Sequence, residues 1–196
     1  MDKEDRIVIM VGIIILVIAI IGILYHEKTY VVSEKVRKNE YIVSYVDRSD
    51  EIRQDGFVGK NGWNEIFTIE AEKNAVIHKV ELFIEWKDNL DLHGIIFPWN
   101  WTDKMEASIE IPEMVFSRSI SSYKSIEVFV EKEKPKDKKI VAGSREEVEK
   151  ILNKEALNKI NCSITLSIET KPLFFDRGNS FDIRIIYHYS VPKIKD

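Results

Sequence analysis

An unbroken apolar run at residues 7–25, which contains no charged side chain, constrains this chain most. As an α-helix the run would extend roughly 28 Å, close to the hydrocarbon thickness of a bilayer. Its many Ile and Val residues lower helix propensity in water, but in lipid a helix satisfies every backbone polar group. We therefore predict a single transmembrane helix at residues 7–25, preceded by a short tail at residues 1–6.

Two other readings of the run are a buried core helix and a cleaved signal peptide. A core helix of a soluble protein rarely runs this long without a polar residue. A signal peptide requires a small-x-small cleavage site after the apolar run, and the sequence Gly22-Ile23-Leu24-Tyr25 offers none. The pattern favours an uncleaved anchor in contact with the lipid bilayer.

Two arguments about orientation oppose each other. Four basic residues follow the run: Lys28, Lys35, Arg37 and Lys38. By the positive-inside rule they favour a cytoplasmic C-terminal domain. Long domains, however, cross the membrane largely regardless of their charge. Since the alternating pattern of residues 27–196 predicts a β-rich domain, which is typical of external modules, we predict a single-pass protein of the cell membrane with an extracytoplasmic C-terminal domain.

Composition excludes several classes of protein. With 29 Lys and Arg against 33 Asp and Glu, the chain carries a net charge of −4, which disfavours a general nucleic-acid binder. Its one cysteine excludes an intramolecular disulfide scaffold and a Cys-rich zinc module.

Most of residues 27–196 alternates between apolar and polar side chains with a period of two, which is typical of strands with one buried face. In residues 79–87 four apolar side chains share one face: Val80, Leu82, Ile84 and Trp86. Phe83 lies among the polar residues of the other face. Further strands are predicted at residues 41–46, 63–72, 105–111, 126–131, 162–169 and 181–189. Because too few helices exist to cover these faces, the domain at residues 27–196 is predicted to be an antiparallel β-sandwich, jelly-roll or Ig-like.

One short helix is predicted within this domain, near residues 145–158. Ser144 and Glu147 have the spacing of a capping box, in which each side chain satisfies a backbone N–H at the helix start. Three apolar residues follow at helical spacing: Val148, Ile151 and Leu152. The charged run at residues 131–139 predicts a solvated loop or hairpin tip, and Gly178 is expected to adopt a positive φ in a turn.

The sequence shows no catalytic constellation and implies no cofactor. The four histidines form no H-x-x-x-H or H-E-x-x-H pair: His26, His78, His93 and His188. Neither a G-x-S-x-G elbow nor a P-loop is present. Cys162 lies on the apolar side of its strand, which favours a buried, inert thiol over a nucleophile. We therefore predict that the protein is not an enzyme.

Three carboxylates near a strand end form a weak candidate for a calcium site: Asp88, Asp91 and Asp103. Calcium binds six to eight oxygens from such loops, but this run lacks the Gly and the distal Glu of an EF-hand. Turn chemistry explains Asp and Asn residues here equally well. Two N-x-S/T sequons also mark Asn100 and Asn161 as candidate glycosylation sites.

The unusual stretch of this sequence is residues 97–101, which hold three aromatic side chains between two predicted strands: Phe97, Trp99 and Trp101. In one reading the rings fold back and close one end of the sandwich. In the other they form a contact surface, because exposed aromatic clusters mark interfaces and ligand sites. These three residues are the candidate binding site of the sequence.

The order of several short motifs is familiar. A strand ends in WKDN at residues 86–89, a second strand leads to Ile111-Pro112, a short helix begins at residues 144–148, and DRGN at residues 176–179 leads into a last strand that ends in Tyr. This order resembles small membrane-anchored β-sandwich ectodomains of archaea, over roughly residues 63–190. The resemblance implies a jelly-roll or Ig-like sandwich outside the cell and implies no activity.

Three functions fit these observations. The leading hypothesis is a non-catalytic, membrane-anchored interaction module, an accessory subunit or assembly partner of an envelope or membrane complex. The second is a carbohydrate-binding or surface-layer-binding domain, with Trp99 and Trp101 as stacking platforms. The third is an anchored metal-dependent enzyme that would use Asp88, Asp91 and Asp103.

Overall fold

The computed structural model describes residues 3–29, 38–88, 103–169 and 178–195, and in the first helix it describes side chains at residues 9–23. The chain divides into two compact units, Met1–Lys38 and Asn39–Asp196. In the first unit, helix α1 spans Lys3–Thr29, and the side chains at residues 9–23 are all exposed. Over the described residues, no helix has both the length and the apolar character of a membrane span.

The described part of the second unit is mainly β. Its nine strands are β1 Asn39–Val58, β2 Trp63–Glu70, β3 Val76–Asp88, β4 Lys104–Ile111, β5 Phe116–Ser122, β6 Ser125–Glu131, β7 Lys138–Ala142, β8 Lys159–Glu169 and β9 Asn179–Lys195. A short 3₁₀ turn at Pro112–Met114 and helix α2 at Arg145–Glu155 complete these elements. The predicted class, mainly β with one short helix in the domain, is confirmed.

The strands form two sheets whose neighbouring strands are all antiparallel. Among the described residues, the order is β6-β3-β9-β1-β7 in a five-stranded sheet and β2-β8-β4-β5 in a four-stranded sheet. Buried side chains from both sheets belong to one apolar cluster, which includes Ile84 of β3 and Ile164 of β8. The predicted β-sandwich is therefore confirmed, because the two sheets bury their apolar faces in a shared core.

Burial follows the alternation of the sequence. Four apolar side chains of β3 are buried: Val80, Leu82, Ile84 and Trp86. Phe83 is half-buried on the opposite face of the sheet. Gly178 has a φ of +120°, and a Cβ there would lie 2.1 Å from the carbonyl oxygen of Val58. The expected positive φ is confirmed, and the close approach of a neighbouring backbone adds a second reason for glycine at this position.

Helix α2 begins as predicted and ends three residues earlier. The backbone N–H of Glu147 donates to Ser144 Oγ over 3.3 Å, so the predicted cap is present. The Glu147 carboxylate accepts from the N–H of Gly143 over 2.7 Å rather than from that of Ser144. The helix stops at Glu155 because the chain turns extended at Ala156, and Leu157 then exchanges backbone hydrogen bonds with β3 and the residue before it.

The helix cap provides a stability test. We expect Ser144→Ala to lower the free energy of unfolding by about 1 kcal/mol, because the N–H of Glu147 loses its acceptor. Ser144→Asp should retain most of that stability, since a carboxylate caps the same N–H and also favours a helix N-terminus. Urea unfolding would measure both variants, and equal losses for Ala and Asp would contradict a capping role.

Candidate functional site

The whole binding site predicted from the sequence lies outside the described residues. This applies to Phe97, Trp99 and Trp101, to the sequon residue Asn100, and to the calcium candidate Asp91. Asp88 is described only as the backbone residue at which β3 ends. Asp103 is buried, and its backbone carbonyl accepts the indole N–H of Trp86 over 3.3 Å. Within the described ranges, no three His, Cys, Asp or Glu side chains come together as metal ligands.

The second sequon lies within strand β8. Asn161 is exposed, and its side-chain Nδ2 donates to Glu113 Oε1 over 3.2 Å. Its Oδ1 accepts from Thr68 Oγ1 over 3.3 Å. The neighbouring Cys162 is fully buried, and this burial raises the pKa of its thiol to about 12. The predicted buried location of Cys162 is confirmed, and a thiol with so high a pKa is a poor nucleophile at neutral pH.

Two histidines are described as side chains in the domain. His78 lies at an irregularity of register between Ile77 and Lys79 and is buried, and burial lowers the pKa of its imidazole. His188 is half-buried on β9, with Nε2 3.2 Å from Glu81 Oε1. Charged side chains lie near both histidines: Asp47 and Lys134 near His78, and Glu81, which also pairs with Lys79, beside His188.

The outer face of the five-stranded sheet carries a cluster of which the sequence pattern indicated only Phe83. We call its four side chains the Phe–Arg face: Arg53 of β1, Phe83 of β3, Phe129 of β6 and Arg184 of β9. In the strand register Phe83 lies opposite Arg184, and Arg184 lies opposite Arg53. Antiparallel partners that lie opposite each other point to the same side of a sheet, so three strands contribute adjacent side chains.

Ring contacts hold this cluster in place. The rings of Phe83 and Phe129 meet edge to face, with centroids 5.8 Å apart, and the guanidinium carbon of Arg184 lies 4.7 Å from the Phe83 centroid. Both geometries are favourable, since a ring edge or a cation is attracted to the electron-rich face of an aromatic ring. Phe129 is nevertheless 56% exposed, although β-branched or polar residues are the usual occupants of a wet strand face.

An open depression of 480 Å³ lies beside this cluster and shares Arg53, Phe83 and Arg184 with it. It is lined by Arg53, Phe83, Glu85, Trp86, Lys87, Ser180, Phe181, Asp182 and Arg184. Its volume falls within the range of ordinary small-molecule pockets.

The charges around the depression are arranged in rows. Arg184 and Arg53 form one row with Phe83, and the next row along the strands holds three carboxylates: Glu85, Asp182 and Asp55. Arg53 Nε donates to Glu51 over 2.7 Å, and this hydrogen bond raises the pKa of Arg53. No ion pair of Arg184 occurs within the described part of the chain, so its guanidinium retains donors for another molecule.

Other parts of the domain cover the opposite end of this outer face. Helix α2 packs Val148 and Leu152 against Tyr41 and Val43 of β1, in a small cluster separate from the main core. The segment at residues 132–137 also contacts β1, since Lys134 forms an ion pair with Asp47 and Asp137 Oδ1 accepts from the N–H of Tyr45 over 3.0 Å. The Phe–Arg face is thus the part of the outer face that these two described elements leave open.

Comparison with known proteins identifies no family. No protein-family model and no curated protein matches the chain. Among solved structures, the chain is similar to a structure of the infectious bursal disease virus Gt strain, with a TM-score of 0.26 and 10% sequence identity. That match covers 81% of this chain and 40% of the viral chain, so the protein spans less than half the length of that relative. A TM-score this low supports no conclusion about fold family or function.

Proposed function

We propose that the protein is a non-catalytic interaction module, anchored in the membrane by residues 7–25 and holding its β-sandwich outside the cytoplasm. The anchor rests on the uncharged sequence of these residues and on the helix that contains them. The interaction role rests on one observation, the exposed Phe–Arg face. Aromatic and Arg side chains are enriched among the residues that contribute most to binding energy in protein interfaces.

The strand order supports a binding module. Without β7, the order β6-β3-β9-β1 in one sheet and β5-β4-β8-β2 in the other is that of a jelly roll. Lectin and capsid domains share this architecture, in which recognition takes place on faces and loops of a rigid sandwich. The proposed external location also agrees with the resemblance of residues 63–190 to archaeal membrane-anchored sandwiches.

The chemistry of the face suits a protein partner of the membrane or envelope. Arg184 and Arg53 present guanidinium donors beside Phe83 and Phe129, an arrangement that fits a carboxylate next to an apolar side chain. The carboxylate row with Asp182 provides the opposite charge one step along the strands, so a partner must match both rows. This matching of charges favours a polypeptide over a neutral glycan, because a neutral glycan carries no fixed charge that could pair with either row.

Site-specific photo-crosslinking in native membranes would test the proposal. A photoreactive residue at position 129 should give one discrete protein adduct, whereas a residue at position 66, which is at least as exposed on β2, should not. Arg184→Ala should reduce the adduct roughly thirtyfold, the effect of losing about 2 kcal/mol at an interface.

The matched control is Arg118→Ala, which removes an exposed Arg from β5 in the other sheet. This variant should leave the adduct unchanged, and both variants should keep the melting temperature within a few degrees. Equal adducts from positions 66 and 129, or an adduct that is insensitive to Arg184, would refute this face as the contact. A shift of the adduct to glycan would favour the carbohydrate-binding alternative.

A further inference from the structure

One long side of strand β1 has no strand beside it. Strand β9 pairs with β1 from Ile42 to Val58, and β7 pairs with the other side only at residues 39–43. In the described part of the chain no strand pairs with that second side along residues 44–58. Such an edge presents unpaired N–H and C=O groups, which are a template for another strand.

The protein's own side chains occupy three of these backbone groups. The N–H of Tyr45 donates to Asp137 Oδ1 over 3.0 Å, and the N–H of Glu51 donates to Asp50 Oδ1 over 2.8 Å. The carbonyl of Asp55 accepts from Gln54 Nε2 over 3.1 Å.

These three groups belong to the outward side of β1. In an antiparallel pair every second residue directs both backbone groups away from its partner, and positions 45, 51 and 55 share that parity. Tyr45 also lies opposite Pro192, which has no N–H to donate to β1. This agrees with backbone groups of Tyr45 that point away from β9.

The charged run before β7 places one of these caps. Lys134 forms an ion pair with Asp47 on β1, and Asp47 also accepts from Ser190 Oγ over 2.8 Å. The hydrogen bond from Lys134, and after it the one from Ser190, lowers the pKa of the Asp47 carboxyl. Asp47 therefore stays ionised and keeps its ion pair with Lys134. This contact holds the segment at residues 132–137 against the sheet, and Asp137 at its end reaches the backbone of Tyr45.

We infer that Asp50, Gln54 and Asp137 close the β1 edge against strand addition, and that the strand they exclude is β1 of a second copy of this chain. The edge is self-complementary in charge. If two β1 strands pair antiparallel about Ile52, Glu51 of each copy lies opposite Arg53 of the other, and Val46 lies opposite Val58. No like charges oppose each other in that register, so the caps, rather than repulsion between the copies, keep the edge closed.

Sedimentation of the full-length protein in detergent tests the inference. The triple variant Asp50→Ala, Gln54→Ala, Asp137→Ala should sediment at twice the protomer mass, with a dissociation constant at least tenfold lower than that of the wild type. A matched triple removes two carboxylates and one amide from exposed positions away from the β1 edge: Glu106→Ala, Asn153→Ala and Glu127→Ala. That control should sediment like the wild type.

Two further variants separate capping from charge and locate the contact. Asp50→Asn with Asp137→Asn keeps an acceptor oxygen at each position while it removes the charge, so this variant should remain at protomer mass. Adding Ile52→Cys to the uncapped triple should give a disulfide-linked dimer, whereas adding Ser49→Cys should not, because only position 52 meets its own copy.

Three results would overturn the inference. They are an uncapped triple that stays at protomer mass, an Asn variant that associates as strongly as the triple, and cross-linking at position 49 instead of 52. Should the triple fail to fold, the single variants Asp50→Ala and Asp137→Ala remain decisive. Each should associate more strongly than the wild type, and wild-type behaviour of both would also refute the closed edge.

Discussion

After an alkaline carbonate wash, cell membranes should retain the wild-type protein, whereas the double variant Ile14→Arg, Ile18→Arg should appear in the soluble fraction. Both positions lie at the centre of the apolar run and on one side of helix α1, four residues apart. An Arg at the middle of a span costs about 2.5–3.5 kcal/mol on insertion scales, so two should prevent insertion of a single helix. Ile14→Leu with Ile18→Leu, which keeps the apolar character, should remain in the membrane.

The side of the membrane follows from the same preparations. Since Cys162 is buried and the pKa of its thiol is raised to about 12, it should give little background with a membrane-impermeant maleimide. Ser119→Cys on the exposed face of β5 should label in intact cells if the domain is extracytoplasmic. Labelling only after lysis would place the domain in the cytoplasm, and release of the wild type by carbonate would contradict the anchor itself.

Strands with one buried face were predictable because burial imposes a period of two. Residues 79–87, 162–169 and 181–189 each fall within an observed strand, and their apolar sides face the shared core. Strand β5 was not predicted, because it lies at a sheet edge and alternates Ser with few apolar residues. Its backbone pairing with β4 defines it, and pairing leaves no local pattern in the sequence.

Strand β1 is a clearer case of backbone pairing that leaves no pattern in the sequence. Only residues 41–46 were predicted, yet the strand continues to Val58 through a highly charged stretch. Strand β9 pairs with it residue by residue, and charged side chains such as Asp50 and Arg53 stay exposed to water. Strand β7 was missed for a related reason, since its first two residues, Lys138 and Lys139, belong to the charged run at residues 131–139 that was predicted to be a loop or hairpin tip.

The Phe–Arg face could be foreseen only in part. Phe83 is out of phase with the alternation of β3, and an apolar residue on a wet face is a signal of contact. Its partners Phe129 and Arg184 are distant in sequence and become neighbours only through the strand register. The aromatic residues at 97–101, which the sequence did single out, lie outside the described residues and stay a prediction.

Replacing Ile164 by Ala should remove about 2–5 kcal/mol from the free energy of unfolding, one of the largest losses expected for a single change in the domain. Ile164 lies on β8 with no exposed surface and contributes to the cluster shared by both sheets, so its truncation leaves a cavity that neighbours fill only partly. Ile66 is the matched control, because it lies on adjacent β2, one step away in register, but is 63% exposed.

Ile66→Ala should change the free energy of unfolding by no more than about 0.5 kcal/mol, as exposed substitutions usually do. Urea unfolding of the two variants compares the same chemical change on the two faces of one sheet. Similar losses would mean that the four-stranded sheet buries both faces, and a larger loss at Ile66 would mean that its faces are reversed. Either result would contradict the sandwich, because a one-residue difference in register decides which side chain enters the core.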